Sequence, residues 1–161
     1  MASRAQTWQD SLKRSAIRSG AMMGAIALGL GALVLTLLLA SYHPSDPSLN
    51  TAAGGPARNI IGVPGAWISD ALLSLMGPAA CLFVPLLIVS ATRLWRGVPI
   101  TGWRQRAVRA LGGIILIDVA VSLFKSDAIP GLPGGLGGAI GFVGSGMIDW
   151  FIGFIGDPAI E

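Results

Sequence analysis

Charged side chains fall along this chain in clusters, and the stretches between clusters are almost free of charge. Between Arg18 and Arg58 the only charged residue is Asp46, between Arg58 and Arg93 only Asp70, and between Arg109 and Lys125 only Asp118. No charge occurs from Ala128 to Ile148. A helix rises ~1.5 Å per residue, so a ~30 Å hydrocarbon core takes about 20 residues to cross. Each gap is therefore a candidate for a membrane span.

Gly20 to Ser41 is uncharged throughout and is the clearest span. Its apolar run exceeds the ~7–15 residues of a signal-peptide core, and no A-x-A arrangement stands near Ala40, so it reads as uncleaved. The run from Val63 to Trp95 is too long for one perpendicular helix and carries a joint at Gly77-Pro78. Before the joint, residues 65–76 mix Trp67, Leu72, Leu73 and Met76 with Ser69, Asp70 and Ser74, an amphipathic pattern. That pattern predicts a segment lying at the interface with Asp70 toward water or headgroups. After the joint, residues 78–94 form the crossing, with Pro85 expected to kink it. Weaker spans follow at 108–124, interrupted by Asp118, and at 136–155, rich in glycine and carrying Asp149. The fold class expected is all-α: a polytopic membrane protein of four transmembrane helices, with an amphipathic segment before the second span.

Composition supports this reading and removes others. Hydrophobic residues make up 53% of the 161, glycine adds 23 more, and only 12% are charged. Soluble domains carry about 25% charge, and a small one could not hide this much apolar surface, which excludes a soluble enzyme. Disorder needs the opposite composition. The single Cys81 forms no intrachain disulfide, and the single His43 no His-rich metal site. Orientation follows from the basic residues. Arg4, Lys13, Arg14 and Arg18 precede the first span, and Arg93, Arg96, Arg104, Arg106 and Arg109 lie between the second and third; only Arg58 and Lys125 fall on the other side. The expected topology has a cytoplasmic tail at 1–19, an outer loop and amphipathic segment at 42–77, a cytoplasmic basic loop at 95–107, and cytoplasmic residues 157–161.

Candidate chemistry is sparse. Intramembrane carboxylates are costly and often functional, so Asp118 and Asp149 raise the reading of a small transporter or channel component. Against it, no Lys, Arg or His shares the membrane interior as a second relay station, and the plainer role is a carboxyl that is protonated or hydrogen-bonded between helices within the bundle. Small residues recur every fourth position at Gly134 and Gly138, at Gly137, Gly141 and Ser145, at Ala16, Gly20 and Gly24, and at Ala21, Ala25 and Gly29. That spacing lets helix backbones approach closely, within the bundle or between chains. The glycine-rich run from Gly131 lacks any phosphate-loop spacing, so no nucleotide site is expected. The five arginines of the basic loop suit membrane orientation and anionic lipid. His43, set among prolines, suits a turn, and Cys81 suits packing. No catalytic, cofactor or metal residue is expected.

The stretches LLLASYHPSDPSLNTA, NIIGVPGAWISDALLSLMGPAACLFVPLLI, RLWRG and LPGGLGGAIG together resemble the N-terminal four-span domain of FtsK/SpoIIIE-type DNA translocases. The resemblance runs from about Gly24 to Asp157, and rests on Tyr42, Pro44, Asp46 and Pro47 after span one and Gly65, Ala66, Asp70 and Gly77 around span two. It implies an inner-membrane anchor tied to division-site assembly, enriched at the septum, meeting other division-machinery membrane proteins and copies of itself. It also implies that DNA and ATP are handled by a motor outside these residues, which hold no Walker A sequence, with 157–161 beginning a linker. Tyr42, Pro44, Asp46, Pro47, Trp67, Asp70, Asp118, Asp149, Gly134, Gly138 and Gly141 are the expected interaction or packing residues.

Overall fold

The structure, a computed structural model, describes residues 2–52, 54–98, 102–124 and 131–155; Lys125, Thr101 and residues 157–161 lie outside the described residues. Every regular element among the described residues is helical: α1 (Ala2–Ala40), α2 (Val63–Met76), a 3₁₀ segment (Gly77–Leu82), α3 (Phe83–Trp95), α4 (Trp103–Phe124) and α5 (Gly138–Ile155). Four stretches are long and apolar enough to cross a membrane: Ser11–Ala40, Val63–Trp95, Trp103–Phe124 and Gly138–Ile155.

Boundaries moved in three places for identifiable reasons. No proline precedes Pro44, so the supposed tail and the first span form one helix, α1, of 39 residues. Likewise α4 begins at Trp103, so Arg104, Arg106 and Arg109 belong to its first turns and the basic loop is shorter than 95–107. Pro85 is the third residue of α3 rather than an interior kink. A proline there removes an amide that has no intrahelical acceptor anyway. The joint at Gly77-Pro78 is real: Gly77 (φ 54°) closes α2, and the 3₁₀ segment leads into α3.

The bundle is polar and small inside, apolar and bulky outside. Its buried side chains include Ala25, Ala32, Ala66, Ala80, Ala91, Ser69, Asp70, Asp118, Ser122 and Ser145. Met23, Leu116, Phe142 and Trp150 are each about 70% exposed. Water would penalise such a surface and lipid does not. α1 packs along α3, α4 packs on α5, and α2 packs on α5.

α2 corrects an expectation. Its buried face is Gly65, Ala66, Ser69, Asp70 and Leu73, whereas Val63, Trp67, Ile68 and Leu75 are exposed. Periodicity separates two faces without saying which turns inward. In this chain the polar face does, so Asp70 lies inside rather than toward water.

Candidate functional site

Two buried carboxylates organise the segment between α1 and α2. Asp46, 3% exposed, sits in the turn where its amide donates to the His43 carbonyl at 3.0 Å, between Pro44 and Pro47. Its carboxylate accepts the amides of Arg58 and Asn59, each at 2.9 Å. One loop end is thereby clamped onto the other. Asn59 then extends the clamp to the helix: its side-chain amide donates to the Leu38 carbonyl at 2.9 Å, and its Oδ1 accepts the Ile61 amide. Leu38 belongs to the last turn of α1, whose carbonyls lack intrahelical donors. Ser41 Oγ accepts the Ile60 amide in the same way.

Asp70, 1% exposed, is the second centre. It accepts the Tyr42 hydroxyl at 3.3 Å, the Asn50 amide at 3.3 Å and the Asn50 side-chain amide at 3.0 Å. Asn50 also donates to Ser74 Oγ at 2.7 Å, so the loop is stitched to two successive turns of α2. Burial, then the charge and hydrogen bond of Asp70, then Asp46, push the Tyr42 hydroxyl up to about 12. Next to it opens a cleft of about 240 Å³ lined by Tyr42, Pro44, Asn50, Asp70, Leu132 and Pro133 among others. Trp67 is 44% exposed and is not among the buried residues of α2. The sequence reading missed Asn50, Asn59 and Ser41. Their signal was available, since lone carboxylates in apolar surroundings require nearby donors.

Gly134, Gly137, Gly138 and Gly141 pack inside the chain, whereas Gly20 and Gly29 have nothing within 4 Å of an added Cβ. A Cβ on Gly134 would collide with the Ser74 and Leu73 carbonyls, and one on Gly138 (φ 59°) with the Leu75 carbonyl. Gly137 and Gly141 lie against the backbone of Asp118, and Ser122 and Ser145 meet at 3.2 Å across α4 and α5. Asp118 is fully buried. Contrary to the expectation of a hydrogen bond between helices, neither carboxyl oxygen has a partner among the described residues, because the backbone at Gly137 and Gly141 packs against that of Asp118 with no donor side chain. Asp149 is exposed, eight residues beyond Gly141 on α5, a rise of about 12 Å. The two carboxylates are not brought together. Among the described residues, no group of three His, Cys, Asp or Glu is placed to hold a metal.

Residues 18–160 match the family described as the 4TM region of DNA translocase FtsK/SpoIIIE. The chain is 35% identical to the DNA translocase FtsK of Caulobacter vibrioides over 119 residues, covering 71% of this chain and 14% of that protein. Against the DNA translocase FtsK of Brucella melitensis it is 34% identical over 121 residues, covering 72% and 15%. With that of Azospirillum brasilense identity is 30% over 143 residues, covering 86% and 22%. The chain thus spans less than a quarter of these relatives. No solved structure matches it. Its four apolar helices and the extent of the match place this chain in the FtsK/SpoIIIE family, as the four-span membrane domain of a DNA translocase.

Proposed function

We propose that this chain is the inner-membrane anchor and division-site interaction module of its translocase. Both termini face the cytoplasm, where a motor outside these residues handles ATP and DNA. The observation that carries the reading is the double clamp at Asp46 and Asp70. Insertion needs only apolar length, and a connection between spans is ordinarily short. Here some 20 residues between α1 and α2 are instead held to the helices by buried carboxylates and asparagines. An ordered polar surface outside the membrane suits recognition of other division-machinery membrane proteins, with exposed Trp67 beside it. Self-association uses the exposed apolar helix faces.

A fluorescent fusion to the C-terminus of the chain tests this. It is expected to collect at the constriction without an attached motor, and to lose that enrichment when Asp46 and Asp70 are both replaced by alanine while membrane abundance persists. Uniform membrane fluorescence of the unmutated chain throughout constriction would refute the recruitment reading. Measurable ATPase activity from the purified chain would refute the assignment of hydrolysis to a motor outside these residues.

A further inference from the structure

At the opposite end of the bundle from the clamp, α1 and the end of α3 enclose a pocket of about 460 Å³. Arg14, Arg18 and Arg96 line it, with Trp95, and its deeper wall is Ala21, Met22 and Leu94. A second, mainly apolar groove of about 420 Å³ runs on beside α4, walled by Leu28, Leu86, Leu87 and Trp103, with Arg93 and Arg106 also in its lining. Leu94 and Val98 line both, so pocket and groove adjoin at these two residues. Among the described residues no Asp or Glu lines either one, whereas Arg18, Arg96, Arg93 and Arg106 do. The amides of Arg96, Gly97 and Val98 already donate to the carbonyls of Thr92, Leu94 and Arg93, which leaves recognition to the guanidinium groups.

We propose that these adjoining cavities hold one anionic phospholipid, its phosphate between Arg18 and Arg96 and one acyl chain in the groove toward Leu28. Three features select this occupant. Guanidinium forks match phosphate oxygens. The excess of arginine repels the ammonium of a zwitterionic headgroup and attracts a net negative one, as basic pockets between membrane helices do. From Arg18 to Leu28 the site descends ten residues of α1, about 15 Å, which is the hydrocarbon depth of one leaflet. A free phosphate would satisfy the arginines and leave the groove unused. The inference concerns the membrane end of the chain and stands independently of division-site recruitment.

Native mass spectrometry of the full chain released from detergent, with added phosphatidylglycerol or phosphatidylethanolamine, reads the site directly. One phosphatidylglycerol should be retained, at least about tenfold more tightly than phosphatidylethanolamine. Two arginines at a membrane surface account for roughly a 30-fold effect, so Arg18→Gln with Arg96→Gln should reduce retention by more than about tenfold. Lys13→Gln with Arg109→Gln removes equal charge from exposed positions that line neither cavity, and should leave retention unchanged. Ala107→Trp keeps every charge but fills the groove, and should weaken the lipid as well; it carries the test if the arginine pair fails to fold. Equal retention of both lipids, equal loss in the control pair, unchanged retention in Ala107→Trp, or displacement of the lipid by inorganic phosphate at matched concentration would each overturn the proposal.

Discussion

Replacing Asp46 by alanine removes both acceptors that hold the amides of Arg58 and Asn59 at 2.9 Å. Hydrogen bonds to a charged acceptor contribute roughly 1.5–3 kcal/mol each. The Asn59 amide is buried and carries its full share, whereas Arg58 is exposed and water recovers part of its bond. The local loss is then about 3 kcal/mol, and Asn59 also loses the support that aims its side chain at Leu38. The four-span bundle does not depend on this bond, so the effect should be confined to the loop between α1 and α2. Hydrogen exchange of the reconstituted chain measures it. Amides 58 and 59 should exchange about a hundredfold faster in Asp46→Ala, because each ~1.4 kcal/mol is a factor of ten in the opening equilibrium. Asp46→Asn keeps one oxygen and should give a smaller acceleration, while amides in the α4 and α5 contact keep their protection. Exchange at 58 and 59 within about threefold of the unmutated chain would refute the clamp.

Tyr42 is the sole tyrosine, so phenolate absorbance reports it alone; half-titration should fall near 12 in the folded chain. The folded value lies above the ~10 of an unfolded tyrosine, so this contribution to stability is complete below pH ~10 and is lost as pH rises through 12. Asp70→Asn removes one of its causes and should lower the value while burial keeps it above the ordinary one; an unchanged value would refute the contact. Gly141→Ala places a Cβ 2.5 Å from the Asp118 carbonyl oxygen, and overpacking of this kind costs about 1–3 kcal/mol. Gly153→Ala meets nothing within 4 Å, so thermal unfolding in detergent should fall in the first variant only. In a chain carrying Cys81→Ala, cysteines at Ser48 and Gln105 should label from opposite faces of the membrane. Labelling of both from one face would remove the four-span topology.

Much of the architecture was legible without coordinates because lipid imposes a one-dimensional rule. A span must be apolar for about 20 residues, and that rule is read residue by residue along Gly20–Ser41 or Val108–Phe124. Gly77-Pro78 was legible for a similarly local reason, since its restrictions act on its own backbone and the residue before it. The side to which α2 turns Asp70 was not legible. An alternating face of Ser69, Asp70 and Ser74 looks the same whether water lies outside or a polar pocket lies within. Its donors, Tyr42 and Asn50, stand 28 and 20 residues away in the chain.

The sequence by itself determined the number of spans and their immersion in lipid, because hydrophobic length and charge spacing are properties of consecutive residues. Only the tertiary structure decided which residues meet. It brought Asn59 to the end of α1, Gly138 onto the Leu75 carbonyl, and Arg18 and Arg96 into the lining of one pocket, while leaving Asp118 and Asp149 apart. The physical reason is that the hydrophobic effect is non-directional and sorts segments into the bilayer. Hydrogen bonds and close backbone approach are directional and short in range, and they select partners only once the segments are packed.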